Sequence, residues 1–331
     1  MTTPAAGTAP APAARPWLAR LPPGLFAIAL GLLGLAGAWQ RLDPLVGGYA
    51  QVVAQALLVT GLAVLAILTV LWAAKLVVHP QVVRGEWMHP VQGPLLALFP
   101  VTAEVAIILL APRFPAWGGI ALGLALALLL LQAAIAWVVV ARLSTGRMPA
   151  ELLSPALYLP IVPGGFVGAM TLHTLGQPGW ATLLLGMGFG GWALLEVRIL
   201  HQLFAGPLPP ELRPTLGIEI APAAVGTLAV ATLWPQLSGE LLMVGLGIAS
   251  GPVFAVLTRW RWWTAVPFTA GFWSFSFPLA TLAASAVEAV RRAGWPREAA
   301  LAAVLVASTV IAFLAARTLV LLAQGRLLPP R

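Results

Sequence analysis

The segment Ser154–Leu172, SPALYLPIVPGGFVGAMTL, is largely apolar and yet carries three prolines among its first ten residues. An apolar run of about 20 residues is long enough to cross the roughly 30 Å hydrocarbon core of a bilayer. Proline removes a backbone hydrogen bond and clashes with the preceding turn, so it kinks or interrupts a helix. The segment therefore predicts a membrane-spanning helix that its prolines kink or interrupt.

The composition of the whole chain also indicates a membrane protein. Of its 331 residues, 60% are hydrophobic and only 8% are charged, whereas soluble domains contain roughly 25% charged residues. Ten apolar runs leave no room for a sizeable soluble domain, which predicts an all-α integral membrane protein. The predicted spans, numbered in chain order, cover residues 23–40, 51–74, 91–111, 116–141, 155–175, 179–204, 214–234, 239–258, 263–289 and 299–322.

The two ends of the chain differ in composition. Residues 1–16 are rich in Ala, Pro and Thr and are predicted to form a disordered tail. Residues 17–328 are predicted to form one ten-helix transmembrane domain. The AGA sequence at 36–38 also resembles a signal-peptide cleavage site, but cleavage there would leave an odd number of spans. The chain has no cysteine, so it has no disulfide and no Cys-based metal site, and no metal or other cofactor is predicted.

The basic residues are distributed unequally between the two sides of the predicted spans. A net charge of +8 would suggest nucleic-acid binding in a soluble protein, but here the charges lie in short loops, and no nucleic-acid partner is predicted. The side of the N-terminus holds thirteen Lys and Arg, and the other side holds five: Arg41, Arg113, Arg291, Arg292 and Arg297. The positive-inside rule therefore predicts a multi-pass protein of the plasma (inner) membrane with both termini cytoplasmic.

Prolines recur at the start of alternate spans. Two outer prolines lie 8 to 11 residues apart in each of four odd-numbered spans: Pro90 and Pro100, Pro155 and Pro163, Pro214 and Pro222, and Pro267 and Pro278. Span 1 has Gly31 and Gly34 instead of the inner proline. Irregular backbone at membrane depth is tolerated where it faces protein or water. The repeat therefore predicts five helical hairpins, with proline-kinked odd spans inside and even spans facing lipid. Alternatively, prolines are simply common in membrane helices.

Five of these segments resemble one known family. They are LPPGLFAIALGL (21–32), LALFPVT (96–102), SPALYLP (154–160), RPTLGIEIAPA (213–223) and FWSFSFPLA (272–280). In this order they are similar to the TehA family of tellurite-resistance and C4-dicarboxylate transporters, which includes the slow anion channels of plant guard cells. The resemblance runs from Leu21 to Leu328. It implies a central pore formed by the odd helices, and a homotrimer in which every protomer has its own pore.

The resemblance also implies a gate. The family carries a pore-blocking phenylalanine in a W-x-F-S-F stretch of its ninth helix, which matches Phe277 here. Phe277 lies 16 residues from Arg261 and 14 from Arg291, or roughly 24 and 21 Å of ideal helix. This spacing predicts a position near mid-membrane, too deep for an interfacial aromatic belt. Two neighbours, Trp273 on the same helical face and Pro278, are predicted to support the gate.

Other aromatic residues of this stretch, Phe272 and Phe275, are more typical of packing between helices. The sequence also departs from the family pattern at two positions. Leu25 stands where the family often has tyrosine, and Pro278 stands where some members have glycine.

The remaining pore-lining candidates lie near the breaks in the odd spans. They are Pro100, Thr102, Pro163, Gly164, Gly217, Pro222, Ser274 and Thr281. Free N–H groups at the start of a helix carry partial positive charge, small residues let an anion approach the backbone, and hydroxyls donate hydrogen bonds. The same hydroxyls are alternatively able to bond back to their own helices.

Two acidic residues are predicted to lie inside the membrane. Glu104 lies well inside span 3, and Glu219 lies six residues after Arg213 in span 7. A charge at the bilayer centre costs roughly 2.5–3.5 kcal/mol on insertion scales, so such residues are candidates for function. Two interpretations stay open: neutral groups that hydrogen-bond between helices, or a proton-coupling site. Glu196 is instead predicted to be solvated at the end of span 6.

These observations favour an anion-selective channel occluded by Phe277, with small inorganic or dicarboxylate anions and the lipid bilayer as partners. The alternative is a proton-coupled carrier of malate-like C4-dicarboxylates, or a tellurite-resistance exporter. An intramembrane enzyme is disfavoured because the chain has neither an H-E-x-x-H nor a G-x-S-x-G motif.

Overall fold

The structure, a computed structural model, describes residues 16–329 and contains only helices and connecting turns there. The predicted tail at residues 1–16 lies outside the described part of the chain, apart from its last residue. Ten helices are long and apolar enough to cross a membrane, which confirms the all-α class and the number of spans. They keep the numbers 1 to 10 and run over Pro23–Val46, Tyr49–Val78, Gln92–Arg113, Pro115–Ser144, Pro155–Thr174, Pro178–Ala205, Arg213–Leu233, Gly239–Thr258, Ala270–Ala293 and Arg297–Ala323.

Two predicted boundaries were wrong by several residues. Span 9 begins at Ala270 instead of residue 263, because Trp260–Trp263 is a separate short helix and residues 264–269 are not helical. Pro267 explains the gap, since it lacks an N–H and restricts the residue before it. Span 1 continues to Val46, beyond the predicted end at residue 40. Its charged Arg41 is compatible with a helix because the guanidinium bonds to the Gly37 carbonyl of the same helix.

The odd and even spans differ sharply in burial. Within an apolar stretch of 18 residues in each span, 67–89% of the residues are buried in the odd-numbered spans and only 17–28% in the even-numbered spans. Each odd span packs against the next odd span, and span 9 packs against span 1, so the five odd spans form a closed ring. The even spans pack on the outside of this ring, span 2 mainly on span 1, span 6 on span 5 and span 10 on span 9.

The odd spans begin irregularly and become regular α-helices only afterwards. Spans 5, 7 and 9 start with the 3-10 segments Pro155–Tyr158, Arg213–Ile220 and Ala270–Phe275. Each inner proline is the second or third residue of the α-helix that follows: Pro100 in Leu98–Leu110, Pro163 in Val162–Thr174, Pro222 in Ala221–Leu233 and Pro278 in Ser276–Ala293. In the first turn of a helix the missing N–H has no intrahelical partner to lose. The prolines therefore mark where the irregular backbone ends.

Candidate pore and gate

Phe277 lies in the inner ring, at the contact between spans 9 and 1. It is the second residue of the helix Ser276–Ala293, and 6% of its surface is exposed. Its ring rests on Gly34 of span 1, where an added Cβ atom would stand 2.7 Å from the Phe277 Cδ2 atom. Gly34 therefore has no side chain in the space that the Phe277 ring occupies.

Only one of the two helical distances supports the predicted depth of Phe277 in the membrane. The 14 residues from Phe277 to Arg291 are continuous helix, or about 21 Å at 1.5 Å per residue. The second distance, about 24 Å of helix to Arg261, was wrong because residues 264–269 are not helical. Phe277 thus lies about 21 Å of helix from the charged end of span 9.

Gly31 and Gly34 form one smooth face on span 1. They are three residues apart on a helix and so lie on the same side. A Cβ atom on Gly31 would collide with the side chain of Ser276 and come within 3.3 Å of the Trp273 Cε3 atom. The two glycines that replace the inner proline in span 1 thus make room for the aromatic stretch of span 9.

Trp273 is anchored to span 10. Its indole is 1% exposed and donates a hydrogen bond of 2.8 Å to the Thr318 hydroxyl. Trp273 lies in the 3-10 segment Ala270–Phe275, whereas Phe277 lies in the α-helix. The ideal-helix spacing that put both rings on one face therefore does not apply, and support of the gate by Trp273 and Pro278 stays a prediction.

The other aromatic residues of the stretch form a separate cluster. Phe275 packs on Trp263 with ring centroids 4.7 Å apart, and Phe272 stacks on Phe268 at 5.4 Å. Phe272 also contacts Trp263 at 6.2 Å. This cluster joins the start of span 9 to the short helix Trp260–Trp263.

The hydroxyl groups among the pore candidates bond to backbone carbonyls. Thr102 and Thr281 are buried and donate to their own spans, and Ser274 donates to span 7. The acceptors are the carbonyls of Leu98, Pro278 and Pro214, at 2.5, 2.9 and 2.5 Å. A hydroxyl that has donated its proton offers only acceptor lone pairs, so in this conformation the three groups do not serve an anion.

Both candidate glycines lie at close contacts between helices. An added Cβ atom on Gly217 would stand 2.6 Å from the backbone nitrogen of Phe275, so the 3-10 segments of spans 7 and 9 touch there. An added Cβ atom on Gly164 would stand 2.7 Å from the Cδ atom of Gln132 in span 4. The space in front of each glycine is therefore filled by a neighbouring span.

Gln132 is a residue whose role the sequence did not reveal. Its side-chain amide donates to the carbonyls of Leu159 and Pro160, at 3.1 and 3.0 Å, and it is 4% exposed. These carbonyls belong to the irregular start of span 5, and backbone groups in hydrocarbon need internal partners. A side chain of outer span 4 thus supplies the hydrogen-bond donors for two backbone carbonyls of inner span 5.

Glu104 lies between spans 3 and 5 and is fully buried. Within residues 16–329, neither of its carboxyl oxygens has a hydrogen-bond partner. An added Cβ atom on Gly168 of span 5 would stand 3.8 Å from the Oε2 atom. Thr171 of the same span donates to the Glu104 backbone carbonyl at 3.5 Å. A carboxyl group without partners in such a place is costly unless it is neutral.

Glu219 has a cationic partner instead. Its two carboxyl oxygens accept hydrogen bonds of 3.2 and 3.0 Å from one nitrogen of Arg259, which directly follows span 8. Glu219 is 5% exposed and lies in the 3-10 segment Arg213–Ile220. The pair joins the irregular start of span 7 to an outer span, and no local signal in the sequence relates two residues that are 40 positions apart.

Glu196 has hydrogen-bond partners that the sequence did not indicate. Its Oε2 atom accepts hydrogen bonds from the Tyr158 hydroxyl and, at 2.8 Å, from the Trp192 indole. Tyr158 is fully buried in the first segment of span 5. Glu196 is half-buried, so the prediction of a solvated charge stays a prediction, and the two aromatic donors are an addition that the sequence did not indicate.

Comparisons with known proteins agree with this architecture. The family model "Voltage-dependent anion channel" (SLAC1) matches residues 20–321. The "Tellurite resistance protein TehA homolog" of Haemophilus influenzae is 29% identical over 270 residues, which cover 80% of each chain. Two Arabidopsis thaliana proteins, "Guard cell S-type anion channel SLAC1" and "S-type anion channel SLAH3", are 25% and 24% identical over 82% and 80% of this chain.

These matches cover the two plant proteins only in part, 50% and 42% of their lengths. The family model, by contrast, matches residues 20–321, from just before span 1 to the last turn of span 10. The chain therefore belongs to the SLAC1/TehA family of anion channels and transporters.

Proposed function

We propose that the chain forms an anion-selective channel whose pore follows the axis of the five odd-numbered spans and is occluded by Phe277. The proposal rests on one observation above all. The Phe277 ring is buried against Gly34, at the contact between two spans of the closed inner ring, and this supports a position at which an aromatic side chain would block passage. The same five spans contain the sequence segments that resemble the family.

The direction of the inner spans supports selectivity for anions. All five odd spans begin on the side predicted to be cytoplasmic, so their helix N-termini face one mouth of the ring. Helix N-termini carry a partial positive charge, which compensates an anion for lost hydration without the strong binding of a fixed cation. Conduction requires binding that is weak enough for release.

Ion selectivity tests this proposal directly. The purified protein, reconstituted in planar bilayers under a potassium chloride gradient, is expected to give a reversal potential close to the chloride equilibrium potential. Replacing chloride by nitrate or malate on one side then ranks the permeant anions. A reversal potential that follows potassium would refute an anion channel.

A second candidate, proton-coupled transport of C4-dicarboxylates, is favoured by Glu104. Its carboxyl group is fully buried and has no hydrogen-bond partner within the described chain, as a protonatable coupling site would. Glu219 suits this role less, since Arg259 holds it. Malate uptake into proteoliposomes should then follow an imposed pH gradient and fall in Glu104→Gln. Uptake that is indifferent to both excludes the carrier.

The name of the Haemophilus relative suggests a consequence for tellurite. We propose that any tellurite resistance follows from export of the oxyanion through the same pore. Cells that express the chain should then survive a higher tellurite concentration than cells that express a variant with a blocked pore. Equal survival would mean that tellurite is not transported.

The assembly and orientation follow the same reasoning. We propose a homotrimer in the inner membrane, with a pore in each protomer and both termini cytoplasmic. The outward-facing apolar surface of the even spans provides the contacts for lipid and for neighbouring protomers. Native mass spectrometry tests the trimer, and protease accessibility of tags in inverted vesicles tests the orientation.

A further inference from the structure

This inference rests on the proposed channel. The mouth at the C-terminal ends of the inner spans is electrostatically unfavourable for an anion. The five odd spans run in the same direction, so their last carbonyl groups gather at one face of the ring. These groups lack intrahelical partners and carry a partial negative charge. An anion at this mouth would be repelled unless the sign of the potential is reversed.

Arginine side chains bond to two of these carbonyls and to a third one inside span 1. The guanidinium groups of Arg113 and Arg292 donate hydrogen bonds to the last α-helical turn of span 3 and to the residue that follows span 7, whereas Arg41 donates to a carbonyl nine residues before the end of span 1. The acceptors are the carbonyls of Gly37, Leu109 and Trp234, at 3.2, 2.5 and 3.2 Å. Charge-assisted hydrogen bonds of this kind neutralise the helix ends. Two of the five inner spans, 3 and 7, thus have a cation at their C-terminal end.

Glu288 lies at the centre of the arginine cluster. Its carboxylate lies 4.0 Å from Arg41, 3.6 Å from Arg291 and 2.8 Å from Arg292, measured between nitrogen and oxygen atoms. Three guanidinium groups around one carboxylate leave a net charge of +2. Glu288 is 7% exposed, whereas the side chain of Arg291 is 48% and that of Arg41 25% exposed. Unused guanidinium donors therefore remain within reach of water.

We propose that Arg41, Arg291, Arg292 and Glu288 form a low-affinity binding site for small inorganic anions at this mouth. The three guanidinium groups supply the positive potential and the hydrogen-bond donors. Glu288 acts as a tethered competitor, because it occupies part of the same donor set and lowers the net charge. It thereby keeps the affinity low enough for an anion to leave again.

Chloride binding to the purified full chain in detergent tests this site without requiring conduction. Line broadening of the chloride NMR signal, titrated with chloride and competed with nitrate, gives the half-saturating concentration. Two unit charges about 7 Å apart in water change a binding constant about threefold. Glu288→Gln should therefore lower the half-saturating concentration by about threefold or more, and Arg291→Gln should raise it about threefold.

Arg297→Gln is the matched control. Arg297 lies on the same predicted side of the membrane, at the start of span 10, and pairs with the exposed Glu298. Its removal should leave chloride binding unchanged. If Glu288→Gln fails to fold, the comparison of chloride binding by Arg291→Gln and by Arg297→Gln still tests the anion site.

Three outcomes would overturn the site: Arg291→Gln binds like the wild type, Arg297→Gln weakens binding as much as Arg291→Gln, or folded Glu288→Gln binds chloride more weakly. In each case the cluster only clamps spans 1 and 9 together. If the variants change the half-saturating chloride concentration as expected but no anion current is found, the site stands and the channel is refuted. If an anion current is found but the variants bind chloride like the wild type, the channel stands and the site is refuted.

Discussion

Gly34 and Phe277 occupy a common space between spans 1 and 9, since an added Cβ atom on Gly34 would stand 2.7 Å from the Phe277 ring. The Phe277 ring thus fits at this contact because residue 34 of span 1 has no side chain. This contact links the packing of the inner ring to the proposed gate, because a change on either side must move or release the ring.

Gly34→Ala should destabilise the protein by about 1–3 kcal/mol, as overpacking of a filled core does. In a Phe277→Ala background the methyl group meets no ring, so the cost of Gly34→Ala should largely vanish. Thermal or denaturant unfolding in detergent of both single variants and the double variant measures this coupling. Gly123→Ala is the control, because an added Cβ atom there meets nothing within 4 Å. An equal cost of Gly34→Ala in both backgrounds would contradict the contact.

Thr318→Val should leave the buried Trp273 indole N–H without an acceptor and cost about 1–3 kcal/mol of unfolding free energy. Thr309→Val is the matched control, because Thr309 bonds back to span 10 in the same way but is exposed. Adding Trp273→Phe removes the orphaned donor, so the double variant should lose less than the two single costs combined. Additive costs would show that the bond contributes nothing.

Arg259→Gln should destabilise the protein by about 2–3 kcal/mol, since it leaves the Glu219 carboxylate buried without its cation. The figure is at the low end for buried pairs because the Arg259 side chain is 32% exposed. Glu219→Gln in the same chain should recover most of the loss. Arg198→Gln, which changes an exposed arginine of span 6, serves as control. Failure of Glu219→Gln to rescue would argue against the ion pair.

Gln132→Leu should cost about 1–3 kcal/mol, because two carbonyls at the start of span 5 lose their amide donor in an apolar setting. Gln55→Leu, on the exposed face of span 2, should be neutral or slightly stabilising in detergent. The comparison of unfolding midpoints checks the prediction. Equal midpoints for the two variants would mean that water satisfies the span 5 carbonyls.

Much of the fold follows from local signals in the sequence. Hydropathy locates all ten spans, because length and apolar character decide whether a segment crosses a bilayer. Prolines at 100, 163, 222 and 278 predicted kinks inside the odd spans, whereas the structure has each of them in the first turn of an α-helix that follows an irregular segment. The start of span 9 was misplaced because residues 263–269 are largely apolar, although Pro267 separates the short helix Trp260–Trp263 from the span.

The contacts within the candidate site were harder to predict from the sequence, because the residues that contact one another are far apart along the chain. Nothing near Glu219 indicates Arg259, and nothing near Trp273 indicates Thr318. The candidate hydroxyls also bond to backbone groups, which depends on helix geometry rather than on residue type. Gly31 and Gly34 stood out in the sequence only as replacements for the inner proline of span 1, and their contacts with span 9 depend on the fold.

The anion current of Phe277→Ala tests the central claim most directly. In planar bilayers, the account predicts a chloride current at least about tenfold larger than that of the wild type, because removal of the ring opens the pore. Phe275→Ala, which truncates a ring in the separate cluster with Trp263, should leave the current near the wild-type level. A Phe277→Ala current equal to that of the wild type, or matched by Phe275→Ala, would contradict Phe277 as the gate.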